Sequence, residues 1–333
     1  MTSPPLVVEV VRGDLVESRH EVHVAVWQAT RGLVLSAGNP DHVAFVRSSI
    51  KMFQALPLVD CGAADRWGLT GEELALATAS HGGEPFHVAA ARSVLARCGA
   101  HEEQLACGPT MPMHAPSADA LHRAGIVPGR IHNNCSGKHA GMIALALAEG
   151  WPLEGYHRSG HAVQQGVRDT LARWTGLPGT SFGVAVDGCG IPTFAVPLSA
   201  MAAGCARLSA AAANGDTAPS RVLGAMMQHP EYVAGTDRLC TDLMRAARGL
   251  WAKVGAEGYY CAGIPAEGLG IAVKVADGAW RAVEPALLAV LLELGALDGP
   301  ARAALARYVE PPITNTRGEV VGAIRAARPA AWR

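Results

Sequence analysis

Ser48 and Lys51 stand three residues apart in the run Arg47-Ser48-Ser49-Ile50-Lys51-Met52-Phe53. On a helix, positions i and i+3 share a face, so this spacing predicts a lysine amine within reach of a serine hydroxyl. A serine is a weak nucleophile until a base takes its proton. A buried lysine can be that base, because burial disfavours its charged form and lowers its pKa. The chemistry predicted is acyl transfer through an S-x-x-K pair. The spacing is common by chance, so its surroundings carry the weight. The flanking apolar residues suit a helix with one buried side, following a strand-like stretch Leu33-Val34-Leu35-Ser36 and a turn Gly38-Asn39-Pro40-Asp41. Backbone N–H groups at such a helix start can hold a developing oxyanion.

Four further segments combine reactive side chains with glycine. Ala79-Ser80-His81-Gly82-Gly83-Glu84 sets a second serine beside flexible backbone at the end of a predicted helix. Lys253-Val254-Gly255 places a lysine just before a strand and is similar to the K-T-G element of Ser-Lys acyl-transfer sites. Asn133-Asn134-Cys135-Ser136-Gly137-Lys138-His139 and Val186-Asp187-Gly188-Cys189-Gly190 each carry one cysteine among polar residues. Two thiolates and a nitrogen donor can hold Zn²⁺, although neither segment has C-x-x-C spacing. Read alone, each segment also fits a plain structural role: a capped loop, a solvated lysine, a small buried thiol.

The elements that must position these groups follow from pattern. Val7–Arg12, Val22–Val26 and Leu33–Leu35 read as an N-terminal antiparallel meander, and 258–264 and 269–275 as later strands. Between them helical patterns dominate: 50–58, 71–80, 87–98, 142–149, 161–174, 199–213 and 221–229, with a final helix over 286–294. Strands at both ends and helices between predict an α/β (α+β) chain whose sheet is built from both termini, as one domain over 1–333 with a helical subregion about 70–230.

Of the 333 residues, half are hydrophobic and 17% charged, with a formal net charge of −1. That balance gives no electrostatic reason to expect nucleic acid as a partner. No stretch reaches the ~18 apolar residues of a membrane span, and Met1-Thr2-Ser3-Pro4-Pro5 lacks the basic start of a signal peptide. The expectation is a soluble, cytoplasmic protein. Cys61, Cys98, Cys107 and Cys205 are expected as small apolar residues in or near the core.

Taken together, the segments closely resemble the L-asparaginase II family first recognised in rhizobia. The most specific are Asn134-Cys135-Ser136-Gly137-Lys138-His139, Asp187-Gly188-Cys189 and Val233-Ala234-Gly235, with Arg47-Ser48-Ser49-Ile50-Lys51 and Ala79-Ser80-His81 beside them. The likeness runs from Val7 to Glu319. It implies a fold similar to serine β-lactamases and glutaminases, hydrolysis of L-asparagine to L-aspartate and ammonia, and a homodimer. It further implies two catalytic Ser-Lys pairs, Ser48 with Lys51 and Ser80 with Lys253. Cys135, Lys138 and Cys189 are implied zinc ligands. Arg47, Asn134, His139, Asp187 and Gly188 are implied around the substrate. The chain departs from the common pattern at Ile50-Lys51-Met52, where relatives often have Ala-Lys-Pro, and at Gly83, where they have Ser.

The mechanism expected is attack by Ser48, deprotonated by Lys51, with Ser80 and Lys253 relaying protons and zinc structural or positioning the substrate. Rival readings are an amidohydrolase of the same plan acting on glutamine, a β-lactam or another amide, a zinc hydrolase of another class, and a non-catalytic asparagine sensor.

Overall fold

A computed structural model describes residues 3–327 and 332. The chain divides into two compact units: Met1–Ser49 with Ala195–Ala210 and Asp242–Arg333, and Ile50–Phe194 with Ala211–Thr241.

The first unit is built on an eight-stranded sheet drawn from both ends of the sequence. Its order is Pro312–Thr314, Val320–Ala327, Leu6–Arg12, Leu15–Gln28, Leu269–Val275, Tyr259–Ile264 and Trp251–Val254, with Gly32–Ala37 pairing beside Leu15–Gln28. Neighbours run antiparallel. The chain is thus mixed α/β with an antiparallel sheet completed by its C-terminal strands. The predicted meander and the two later strands are present, the second meander strand being much longer than its apolar core suggested. Pro312–Thr314 and Val320–Ala327 had no clear pattern, because they are short or only half-buried. Trp251–Val254, read as a lead-in to a strand, is itself a strand and buried along its length.

Leu269–Val275 is buried at every position, so both its faces are covered. The helix Trp280–Glu293 packs on the sheet. It starts earlier than predicted and carries Pro285 inside it, at the cost of one intrahelical hydrogen bond. The helical stretch Leu198–Ala210 approaches the sheet at two glycines that are cross-strand partners, Gly263 and Gly270. A Cβ on Gly270 would lie 2.2 Å from the Ala206 nitrogen and 2.3 Å from the Ala202 carbonyl oxygen. One on Gly263 would meet Ser209 Oγ at 2.4 Å. Trp251, opposite Gly263, fills the adjoining space and donates its indole N–H to Ser209 at 3.0 Å.

The second unit is helical. Lys51–Asp60 is its central helix, buried at eight of ten positions. Packed on it are Gly71–Ala77, Ser136–Ala148, Ala162–Thr175 and Thr217–Gln228. Gly71–Ala77 starts with a reciprocal capping box between Thr70 and Glu73. Among the described residues no helix is long and apolar enough to cross a membrane.

Because backbone, not a mobile side chain, blocks the space at Gly270, Gly270→Ala is expected to lose stability by about 1–3 kcal/mol, the cost of overpacking. Urea unfolding checks this; an unchanged midpoint would show that the helix can move off the sheet freely.

Candidate functional site

The sequence-predicted residues fall in both units. Lys51, Ser80, Asn134, Cys135, Lys138, His139, Asp187, Gly188 and Cys189 lie in the second unit, and Arg47, Ser48 and Lys253 in the first. Each unit is described in turn.

In the first unit Ser48 lies on a 3-10 turn, Arg47–Ile50, and not on an α-helix running through Lys51. Arg47 just before it takes a left-handed backbone, φ 48°. That conformation is uncommon for a residue with a side chain, and such outliers gather at functional sites. Ser49 closes the turn, its hydroxyl and amide both bonding to the Val46 carbonyl. Lys253 is fully buried on the Trp251–Val254 strand and donates to the Val254 carbonyl at 2.8 Å.

In the second unit Lys51 opens its helix with the amine buried. Its Nζ lies 2.5 Å from the Ala79 carbonyl oxygen, 3.0 Å from Ser80 Oγ and 3.1 Å from Cys135 Sγ. Lys51 therefore meets Ser80, a contact that sequence spacing alone did not suggest. Burial pushes its pKa down, opposed chiefly by the negative charge at Cys135.

Ser80 sits just past the Gly71–Ala77 helix, on extended chain held from several sides. Its N–H donates to the Val233 carbonyl at 3.0 Å, and His81 N–H to the Asn134 carbonyl at 3.1 Å. The His81 ring accepts from Gly83 N–H through Nδ1, so its hydrogen is on Nε2, 3.0 Å from Ser136 Oγ. Next along, the buried Glu84 carboxylate takes the Thr236 N–H at 2.8 Å and its hydroxyl at 2.7 Å. The segments 79–84, 133–136 and 231–236 are thereby tied together around Ser80.

Cys135 caps the helix Ser136–Ala148, which the sequence reading began only at Met142. The low helix propensity of Gly137 and Gly141 concealed its first turn. Gly137 is required there: a Cβ would lie 2.5 Å from the Leu76 carbonyl oxygen and 2.4 Å from Leu76 Cγ. This close approach sets Lys138 and His139 in the first turn, both buried. Lys138 Nζ donates to Cys189 Sγ at 2.9 Å, and Asp187 Oδ2 lies 4.0 Å from the same sulfur.

The hydrogen bond from the Cys189 thiol holds the Cys135 thiol well below its ordinary pKa, with Lys138 and Lys51 adding to it against the cost of burial. Giving that bond pushes Cys189 up. Lys138 is buried, yet the negative charge at Cys135 and the hydrogen bond to Cys189 outweigh this and raise its pKa. The pair is thus one thiolate and one thiol between two lysines.

Asp187 is half-buried, and its own carboxylate accepts the N–H of the exposed Gly188. Asn134 donates to Met113 Sδ. His139 Nδ1 lies 2.7 Å from the Tyr156 hydroxyl. Tyr156 had no signal in the sequence: it is a single aromatic in a turn segment without period or motif. Among the described residues no group of three or more His, Cys, Asp or Glu is arranged to hold a metal.

A buried serine, two lysines and two thiols joined by hydrogen bonds have the parts of a lysine-assisted acyl-transfer site. Residues 8–326 match the profile of L-asparaginase II, and the chain belongs to that family. No curated protein matched it. Among solved structures it is similar to the crystal structure of Mglu in its native form in the presence of 4.3 M NaCl, at 15% identity and a TM-score of 0.39, over 84% of this chain and 62% of that one. A second structure of Mglu matches at 16% identity and a TM-score of 0.34, over 86% of this chain and 65% of that one. The chain therefore spans under two thirds of the length of either Mglu chain.

Burial also holds three histidines of this unit neutral. His87 is lowered to about 4, and His81 and His139 well below their ordinary value. With the folded-state pKa depressed, the unfolded chain binds more protons below pH 6.5. The stabilisation is present above that pH and is lost as pH falls toward 4. For His87 it is on the order of 3 kcal/mol. His87→Gln should therefore flatten the fall of the urea midpoint between pH 6.5 and 4.5; equal slopes in the two proteins would contradict the assignment.

Proposed function

We propose that this chain hydrolyses the side-chain amide of L-asparagine to L-aspartate and ammonia through a serine acyl-enzyme. The observation that carries the reading is the set of partners around Lys51 Nζ. A neutral amine has two N–H groups and one lone pair. The Ala79 carbonyl and the Cys135 thiolate only accept, so they take the two hydrogens. The lone pair is left for the hydroxyl hydrogen of Ser80 at 3.0 Å. Lys51 is arranged as a base toward Ser80.

In the step this supports, Ser80 passes its proton to Lys51 as Oγ attacks the amide carbon. The C–N bond then breaks, Lys51 returns the proton to the leaving nitrogen, and ammonia departs. Water attacks the ester with Lys51 again as base, giving the carboxylate and restoring the hydroxyl. Ser48 is the rival nucleophile, since S-x-x-K spacing relates it to the same lysine along the sequence; Lys253 is kept as a lysine serving either serine. A β-lactamase- or glutaminase-like fold and a homodimer form part of this proposal through the family likeness.

Cys135, Cys189 and Lys138 fit a zinc ion by chemistry: two sulfurs, one already a thiolate, and an amine nitrogen already in contact with sulfur. Bound there, zinc supplies Lewis-acid attraction for a substrate oxygen. To ligate, Cys189 and Lys138 must give up protons, so uptake of zinc should release about two per ion. Calorimetry in buffers of different ionisation enthalpy reads this number; uptake without proton release would exclude these two ligands. Arg47, Asn134, His139, Asp187 and Gly188 are the proposed substrate contacts.

Ammonia release from L-asparagine, with L-glutamine alongside, tests the function. Turnover of asparagine is expected to fall by at least about 10³-fold in Ser80→Ala and in Lys51→Met. Loss in Ser48→Ala with Ser80→Ala near normal would move the nucleophile to Ser48. Silence toward both amides in folded, zinc-loaded protein would contradict the reading. Binding of asparagine without turnover would favour a sensor.

A further inference from the structure

Met52, Met142, Met201, Met226 and Met244 are buried, whereas Met113 is 53% exposed, the most of any described methionine. Its chain neighbours fix it in place. His114 N–H donates to the Gly82 carbonyl at 2.9 Å. Pro112 packs against Gly83, where a Cβ would lie 3.0 Å from the proline Cβ. The backbone at Met113 is therefore held against the glycine pair that follows Ser80 and His81.

The Met113 sulfur meets Asn134, whose side-chain amide nitrogen lies 3.3 Å from Sδ. A thioether can only accept, so this N–H donates to sulfur. Asn134 is also tied through its backbone, its carbonyl accepting the His81 N–H at 3.1 Å. It directly precedes Cys135, whose sulfur is 3.1 Å from the Lys51 amine. An exposed sulfur thus bonds to a side chain set between the Ser80 segment and Cys135. A thioether is a weak acceptor and open to oxidation; the sulfoxide it gives is polar and chiral, with an oxygen in place of the sulfur lone pair.

We propose that Met113 is a site of reversible oxidation by hydrogen peroxide, and that its sulfoxide captures the Asn134 amide and weakens binding of an amino-acid substrate. The sulfur attacks one oxygen of the peroxide. An S–O bond forms as the O–O bond breaks, and the second oxygen leaves, taking up the proton of the first, as water. Sulfur is oxidised by two electrons and the peroxide is reduced by two. The modification stands on the exposure of the sulfur and its bond to Asn134. Its effect on substrate rests on the amidohydrolase reading, in which Asn134 is a substrate contact.

The test treats the whole protein with hydrogen peroxide and then with a thiol reductant, which restores cysteine disulfides and sulfenic acids but leaves sulfoxides. Peptide mass spectrometry should find one added oxygen on Met113 ahead of the buried methionines. The side-chain amide signal of Asn134, assigned by its loss in Asn134→Asp, should move downfield in nitrogen–proton NMR. The Kd of L-aspartate, an unreactive probe, and the asparagine KM should rise about 5-fold, as for loss of one hydrogen bond, with kcat changed less. Methionine sulfoxide reductases for the two epimers should reverse all of these changes. Met113→Leu, which keeps the volume and removes the sulfur, should abolish the response to peroxide. Met111→Leu should keep it, although Met111 is itself 46% exposed. Met113 left intact while Met111 is oxidised overturns the proposal, and so does a Met113→Leu protein that responds like the wild type. Oxidation of Met113 with the Asn134 signal and the aspartate Kd unmoved overturns the capture. Failure of the untreated protein to bind aspartate overturns the effect on an amino-acid ligand. If asparagine is not turned over while peroxide still shifts the Asn134 signal and the aspartate Kd, the amidohydrolase reading fails and the role of Met113 stands.

Discussion

An amine buried away from water must match each hydrogen and any lone pair it carries, and Lys51 does so with a carbonyl, a hydroxyl and a thiolate. This three-way contact is the constraint on which the helical unit depends. The carbonyl and the hydroxyl come from neighbouring residues, Ala79 and Ser80, so the chain leaving the Gly71–Ala77 helix must pass the amine in one fixed orientation. The thiolate comes from the cap of another helix, so that helix must start against the same spot. Gly137 allows this by bringing its first turn onto the Leu76 carbonyl.

Electrostatics reinforce the geometry. Lys51 and Lys138 both lie near Cys135, and each favours the thiolate there. The thiolate in turn favours protonated Lys138, while Lys51 is held down by burial. The two lysines are thereby driven apart in proton affinity within one cluster, one suited to accept a proton and the other to hold it. Such divergence between neighbouring groups is a common mark of acid–base sites. Three histidines are treated alike: His81, His87 and His139 are buried neutral, and backbone N–H donors at Nδ1 set the hydrogen on Nε2 in His81 and His87.

Much of the sheet was legible in the sequence, because alternating or continuous apolar runs such as 269–275 have few other uses. The idea that both termini contribute to it followed from where those runs fall. Short, half-exposed strands near the C-terminus were not legible, having little apolar content to pattern. Glycines at the site misled in a definite way. Gly137 and Gly141 concealed the first turn of a helix that they are needed to pack. Local spacing also gave only part of the surroundings of Lys51. It gave the lysine to Ser48 by helical geometry, whereas Ser48 lies on a 3-10 turn and the amine bonds to Ser80, 29 residues on. A long-range contact of this kind leaves no trace in spacing, and neither does the meeting of the Tyr156 hydroxyl with His139.

The most direct test of Lys51 as the base for Ser80 is to quench the protein during turnover of L-asparagine in acid and locate the acyl group by peptide mass spectrometry. The account predicts a β-aspartyl ester on the peptide bearing Ser80, and its disappearance in Lys51→Met. An ester on the peptide bearing Ser48, with Ser80 unmodified, would contradict it.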